Sequence, residues 1–554
     1  LRRSSILTIS ALSCVLFGLA AARLNSEFPS AEAAEPTAKP SAAISSAAIS
    51  DKDPQAAQVT PVSVTIPAAK PAGLDPLVPT KFAPSTMKLY TAKRGDTIPA
   101  IARQYLKNTS YLTTAALSDA IRGANANHSS NILRAGDQIN IPGILSTPIV
   151  EHTVPVARDF EVRAIYLTGI MAGSDHGLRI IRHWREVGGN AVVFDIKDSD
   201  GSVTIPYEHP LLGKHQVYIH DLPKFVHFLH SENMHAIARI AIFRDERLVV
   251  EHPELAVQSR KSGQPWRENG KLVWTDPSQP KVQDFDIALA KFVAQSGADE
   301  IQFDYVRFPA EGDQKDASFA YQGDHGPCGD GRLARPADAK QGGATNEAVC
   351  KSASLQRSDV ITAFLKKAYA ELHPTGVLLS LDVFGVMAWQ RPVDLSHTGQ
   401  DIIGMAKYCD VLSPMIYPSH FFGMDHIDHP GDAPEHFIGE SMQRFELITH
   451  PDGNNTTGVV IRPWLQAFHW RTKTYSPEYI KVQVATAKEK GGIGFLFWNA
   501  ANDYSKPYEA MPEMKAENLK EKEKEKYFRG DELPGITVKA SLTPTAILPA
   551  PASH

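Results

Sequence analysis

Residues 300–309 read Glu300-Ile-Gln-Phe-Asp304-Tyr-Val-Arg-Phe-Pro309, an apolar run of strand length that closes on a carboxylate. Burying an acid at the end of such a strand is costly unless something answers it. The same rhythm continues in both directions. Upstream, strand-like runs occupy 162–167, 191–196 and 235–240, and downstream they occupy 378–382, 411–416, 458–462 and 492–497. Helical patterns fill the intervals, at 177–187, 222–232, 282–295 and 358–372. Strands alternating with helices mean βα units and a parallel sheet. Eight such strands predict an α/β fold, a (β/α)8 TIM barrel spanning 158–510. The rival is a doubly wound open sheet. It is disfavoured because no strand runs into a Gly-rich nucleotide-binding turn.

Barrel active sites form where strands end, so the closing residues are the informative ones. They are Asp195 and Lys197; Arg244 beyond the third strand; Asp304, Tyr305 and Arg307; Asp382; Tyr417; Trp464; and Trp498 with Asn499. Asp304 and Asp382 lie on consecutive strands, which are neighbours in a barrel. Adjacent carboxylates push their pKa values apart, so one stays ionised while the other keeps its proton. That division is what glycosidic cleavage requires. Asp304 and Asp382 are therefore the catalytic candidates. Trp389, Tyr305, Tyr417, Trp464 and Trp498 offer faces to sugar rings, and Arg307 and Lys197 could hold the nucleophile ionised. Asp195 and Lys197 share one side of a strand and could instead pair with each other. Arg462 reads as a rim salt bridge.

The segments FDIKD (194–198), FDYVRFP (303–309), LDVFG (381–385), LSPMIYPSHF (412–421) and GFLFWNA (494–500) carry a resemblance. They look like a bacterial glycoside hydrolase-like family, formerly a domain of unknown function and regarded as a TIM barrel with α-amylase-like relatives. The resemblance covers about 160–505. It implies that Asp304, on the fourth strand, is the nucleophile. α-Amylase-like enzymes usually present a Glu acid on the fifth strand, where this chain has Asp382.

Ahead of the barrel the chain changes character. Arg2 and Arg3 precede an apolar run ending near Ala22, so 1–22 reads as a signal peptide or a membrane anchor. Residues 23–86, rich in Ala, Pro and Ser, read as a disordered linker. Within 87–145, the motifs Arg94-Gly-Asp-Thr97 and Arg134-Ala-Gly-Asp-Gln-Ile-Asn-Ile-Pro142 bracket two helical stretches. Gly95 and Gly136 suit turns, and Thr97 suits a helix N-cap with Ile98, Ile101, Ala102 and Tyr105 on one face. This segment resembles the LysM family, which implies binding of N-acetylglucosamine-containing glycans such as peptidoglycan. By position the groove candidates are Gly95, Asp96, Thr97, Ile98 and Asn127; turn and cap chemistry explains Gly95 and Thr97 equally well. Residues 511–554 read as a charged, disordered tail.

The formal net charge of −5 gives no pull towards nucleic acid. Despite 21 histidines, no zinc-type spacing occurs, so no metal and no cofactor is expected; the run Asp425-His-Ile-Asp-His429 reads as plain loop. Cys328 and Cys350 sit in the polar insertion after the fourth strand and could bridge in an oxidising compartment, whereas Cys409 reads as a small apolar residue.

Three functions remain on sequence grounds. The first is an exported glycoside hydrolase with two carboxylates and a retaining mechanism. It would act on an envelope or extracellular polysaccharide, with the LysM-like module as targeting device and a possible membrane tether through the N-terminal apolar segment. The second is a non-catalytic glycan-binding or envelope scaffold with a degenerate barrel. The third is a metal-dependent hydrolase or deacetylase.

Overall fold

The computed structural model describes residues 86–126, 133–323, 355–451 and 457–517. The apolar run at 1–22, the linker up to 85, Asn127, Cys328 and Cys350 lie outside the described residues. Among the described residues no helix is long and apolar enough to cross a membrane.

Strand β1 (Thr86–Thr91) pairs antiparallel with β2 (Gln138–Ile144), and helices α1 (Ile98–Tyr105) and α2 (Thr114–Ala124) lie between them in sequence. The Thr97 hydroxyl accepts a hydrogen bond from the Ala100 N–H at 3.3 Å, the N-cap expected of it. Ile98, Ile101, Leu117, Ile121, Ile139 and Ile141 close a small core of their own.

The second region is a closed barrel. Its strands are β3 (Arg163–Leu167), β4 (Ala191–Lys197), β5 (His235–Ala241), β6 (Glu300–Asp304), β7 (Leu378–Phe384), β8 (Val411–Ile416), the pair β9 (Val460–Ile461) and β10 (Trp464–Gln466), and β11 (Phe495–Trp498). Every neighbouring pair is parallel, and β7 bonds to both β6 and β8, which closes the ring. The seventh strand is thus one expected run broken in two. Pro463 has no N–H to give a ladder, so pairing with β8 resumes only at Trp464. The helices include α3 (Asp175–Glu186), α4 (Leu222–Ser231), α5 (Pro280–Gln295), α6 (Arg357–Leu372), α7 (Pro434–Thr449), α8 (Pro477–Glu489) and α9 (Ser505–Glu517). Helix α9 carries ordered chain past 510, and its Met511 and Met514 are buried in the core.

Strand parity sorts the apolar residues. Ile165, Val192, Phe194, Leu379 and Leu381 face the helices in the large outer core. Ala164, Tyr166, Val193, Ile237, Trp464 and Leu496 fill the barrel interior. Cys409 is buried in the outer core just ahead of β8. The front module touches the barrel at the first turns of α3 and α4. There Lys224 Nζ donates to the Leu106 carbonyl at 3.0 Å, and the Thr113 hydroxyl bonds Asp175. In a (β/α) unit the helix starts where the strand before it ends, so these contacts lie on the mouth side of the barrel.

Candidate active site

The inward positions of adjacent strands bring three carboxylates to one guanidinium. Arg239, on β5, donates from Nη1 to Asp195 Oδ1 at 2.5 Å, and from Nη2 and Nε to Asp304 Oδ2 at 2.6 and 3.1 Å. The same Nε lies 4.0 Å from Asp382 Oδ2. With separations of 3.1 and 4.0 Å from one nitrogen, the Asp304 and Asp382 oxygens are within about 7 Å of each other. Arg239 is therefore the centre of the site. The sequence placed it on the third strand without giving it a role. The signal was its parity with His235 and Ile237, which puts it inside the ring.

Each acid has a different environment. Asp304 is 7% exposed, and its other oxygen accepts from the Tyr305 N–H at 2.6 Å. Tyr305 adopts φ 55°, a left-handed conformation that a bulky side chain holds only at a cost of order 1–3 kcal/mol, and it turns the chain sharply at the strand end. Asp382 is 1% exposed and accepts from Trp464 Nε1 at 2.7 Å. Burial, reinforced by the negative charge of Asp304, raises its pKa well above the carboxylate range. Burial also lifts Asp195 to about 7 against the pull of Arg239. Tyr166, which sequence reading missed, donates to Asp195 Oδ2 at 2.5 Å. Trp498 stacks on Tyr166 at 4.1 Å, and the Arg239 guanidinium lies 5.3 Å from the Trp498 ring.

Several expected rim residues sit elsewhere. A bulge between Asp195 and Lys197 reverses the parity of β4, so Asp195 points inward and Lys197 points out. Lys197 is fully buried, with its three donors on Asp245, Asp286 and the Ile242 carbonyl. It pairs neither with Asp195 nor with the nucleophile candidate. Arg307 is also removed from Asp304. Its guanidinium is packed over the rings of Phe384 and Trp274 at 4.3 and 4.6 Å. Arg244 donates to the Tyr305 hydroxyl at 2.7 Å and braces that ring rather than an acid. Asn499 is a loop clamp, donating to the Ala467 and Asp503 carbonyls. Arg462 is not at the rim. It is wholly buried inside the barrel, donating to Glu300 at 2.8 and 3.0 Å. Trp464 and Tyr417 pack at the inner core, and Trp498 is half-buried beside them.

In the front module, Asp96 accepts from the Tyr90 hydroxyl and the Lys93 N–H, both at 2.7 Å, and Gly95 has φ 91°. Ile98 is buried in the module core. Among the described residues, no group of three or more His, Cys, Asp or Glu is arranged to hold a metal ion. Asp425 pairs with His436 at 2.8 Å.

Fold and site define a closed (β/α)8 barrel with a carboxylate cluster gathered around one arginine at its mouth, preceded by a small two-helix, two-strand module. Residues 164–504 match the family described as "Putative glycosyl hydrolase domain", and the chain belongs to that family. Residues 90–142 match the LysM domain. Among solved structures, the chain is similar to a hypothetical protein from Ruminiclostridium thermocellum ATCC 27405 at 31% identity. That match covers 40% of this chain and 97% of the other, with a TM-score of 0.31. It is similar to the glycoside hydrolase domain of PgaB (BpsB) from Bordetella bronchiseptica at 13% identity, covering 63% and 98%, with a TM-score of 0.44. It is also similar to the spore cortex-lytic enzyme SleL of Bacillus megaterium QM B1551 at 12% identity, covering 76% and 85%, with a TM-score of 0.34. Comparison with curated proteins found no match.

Proposed function

We propose that the barrel hydrolyses a glycosidic bond with Asp304 and Asp382 as its two carboxylates. The observation that carries this reading is the shared arginine. Arg239 and the Tyr305 N–H hydrogen-bond Asp304 as a carboxylate, while burial beside that charge keeps the proton on Asp382. In this reading Asp304 adds to the anomeric carbon and the C–O bond breaks. Asp382 gives its proton to the leaving oxygen. It then takes a proton from the water that releases the sugar. The upper bound of about 7 Å between the acids admits the carboxyl spacing of about 5–5.5 Å used by retaining enzymes. Tyr305 and Trp498, the partly open rings of the site, would border the bound sugar, with Asp195, Tyr417 and Trp464 packed behind them.

The LysM match and the apolar run at 1–22 support an exported protein acting on envelope or extracellular polysaccharide, with the module holding the glycan through Gly95, Asp96, Thr97, Ile98 and Asn127. One observation favours the second reading, a glycan-binding barrel without turnover. Asp304 is already bonded on both oxygens, and Asp382 is 1% exposed. Incubating the full chain with envelope polysaccharides and following new reducing ends separates the two. Turnover lost in both Asp304→Asn and Asp382→Asn, with folding intact, supports hydrolysis. Turnover unchanged in Asp304→Asn overturns the assignment.

A further inference from the structure

An aromatic track leaves the barrel mouth on one side. Tyr417, at the end of β8, packs in the inner core with Trp464, which holds Asp382. From Tyr417 the rings continue through Phe468 at 5.7 Å and His420 at 5.4 Å. His420 meets Trp470 at 4.8 Å, and Trp470 meets Phe422 at 5.6 Å. All of these residues lie on the loops after β8 and β10, at the end of the barrel that carries the acids. Phe422 ends the track at 39% exposure. The Arg471 guanidinium lies against its last two rings, 4.1 Å from the Phe422 ring and 4.8 Å from that of Trp470. Arg471 is exposed, has φ 47°, and makes no ion pair among the described residues. Asp425 is held by His436, and Asp432 by the Thr472 hydroxyl and the Lys473 N–H.

We propose that Phe422, Trp470 and Arg471 form an outer subsite of the barrel for a polysaccharide whose sugars carry carboxylates. Aromatic faces suit the apolar faces of pyranose rings. A guanidinium fixed by two rings, with its edges free, suits a planar carboxylate bidentately. The inference deepens the glycosidase reading by naming an acidic glycan chain long enough to reach from the acids to the rim.

The test is binding, which needs no turnover. The full chain carrying Asp304→Asn is run by affinity electrophoresis through gels containing polygalacturonate, alginate or hyaluronate, and through neutral dextran and hydroxyethylcellulose. At least one acidic polymer should retard it more than either neutral polymer does. Adding Arg471→Gln should weaken that binding about tenfold and leave any neutral binding unchanged, because one charge-assisted contact is lost. Adding Phe422→Ala should weaken both. Both positions are exposed, and unchanged melting of each variant confirms an intact fold. The inference is overturned if no acidic polymer is preferred, or if the Arg471→Gln chain keeps the preference. Neither result depends on whether Asp304 and Asp382 cleave anything.

Discussion

Arg239 donates twice to a single oxygen of Asp304, from Nη2 at 2.6 Å and Nε at 3.1 Å, and spends its remaining terminal nitrogen on Asp195. The guanidinium thus bonds two of the three buried acids at the mouth and lies 4.0 Å from the third. Arg239→Met should leave Asp195, Asp304 and Asp382 crowded without a counter-charge. Removing one side of a buried ion pair costs about 3–5 kcal/mol. Urea unfolding should show a loss of that order at pH 8. The loss should shrink at pH 5, where the acids can take up protons instead. Equal midpoints for variant and parent at both pH values would remove Arg239 from the centre of the site. Arg239→Lys should not restore activity, since a point charge cannot reach both carboxylates as a planar fork does.

Asp382 gives a pH dependence of unusual sign. Its folded pKa is raised by burial and by Asp304, so the folded chain keeps a proton that the unfolded chain releases near pH 4. With more protons bound when folded, this group's contribution to stability falls as pH rises above that point, by about 1.4 kcal/mol per pH unit until the folded pKa is passed. Asp382→Asn imitates the protonated acid and can still accept from Trp464 Nε1. Its melting temperature relative to the parent should therefore be higher at pH 8 than at pH 5. A constant difference across that range would mean that Asp382 is ionised in the fold. If the acid role is right, the same substitution lowers turnover by about 10²–10⁴-fold.

The barrel and its order of strands are legible in the sequence because buried parallel strands are apolar on both faces and the helices between them keep their own period. Asp304 and Asp382 are legible as strand-end acids for the same reason. What the sequence does not disclose is which way a side chain turns after an irregularity. Regular alternation puts Lys197 beside Asp195, and one bulge sends it to Asp245 and Asp286 instead. Arg462 looks like the last residue of a strand. Pro463 interrupts the ladder there, but the strand resumes and runs to Gln466, so Arg462 stays deep within the barrel. Arg239 lies in the middle of an apolar run, where nothing local distinguishes a site residue from a structural ion pair. Only the closing of the ring sets it between strands β4 and β6.

Glu300 and Arg462 form a second buried pair, and the consequence runs opposite to that of Asp382. Burial opposes ionisation of Glu300, but Arg462 and the His235 hydrogen bond outweigh it and bring its pKa down to about 2. A depressed acid stabilises the fold above its unfolded pKa, near 4.5, and loses that contribution as pH falls towards 2. Arg462→Met should cost about 3–5 kcal/mol at pH 7 by leaving the buried Glu300 without its guanidinium counter-charge, held by His235 alone. Combining it with Glu300→Gln should recover much of the loss, because no uncompensated charge remains. Denaturant midpoints of the two single variants and the double variant check the cycle. Additive losses would mean that the two residues do not act as a pair.

Lys224 ties the front module to the barrel. Its ammonium, 4% exposed, donates to the carbonyls of Leu106 and Tyr111 at 3.0 and 3.4 Å, and Asp221 stands 3.7 Å away. Lys224→Met would remove both contacts; the Leu106 carbonyl keeps the Thr109 N–H and hydroxyl, but the Tyr111 carbonyl would lose its donor, at a cost of about 1–3 kcal/mol if it stays buried. Losing these contacts loosens the module on the barrel. Scanning calorimetry of the parent should then show the module and the barrel unfolding in one transition. In Lys224→Met the module's transition should separate to lower temperature while the barrel's stays where it was. Adding Asp175→Ala, which removes the hydrogen bond from Thr113 and leaves the Thr113 cap of α2 in place, should widen the gap. A single transition unmoved in both variants would show that these contacts contribute nothing to holding the module at the mouth side. A glycan held by the module would then be presented to the barrel through the connecting chain alone.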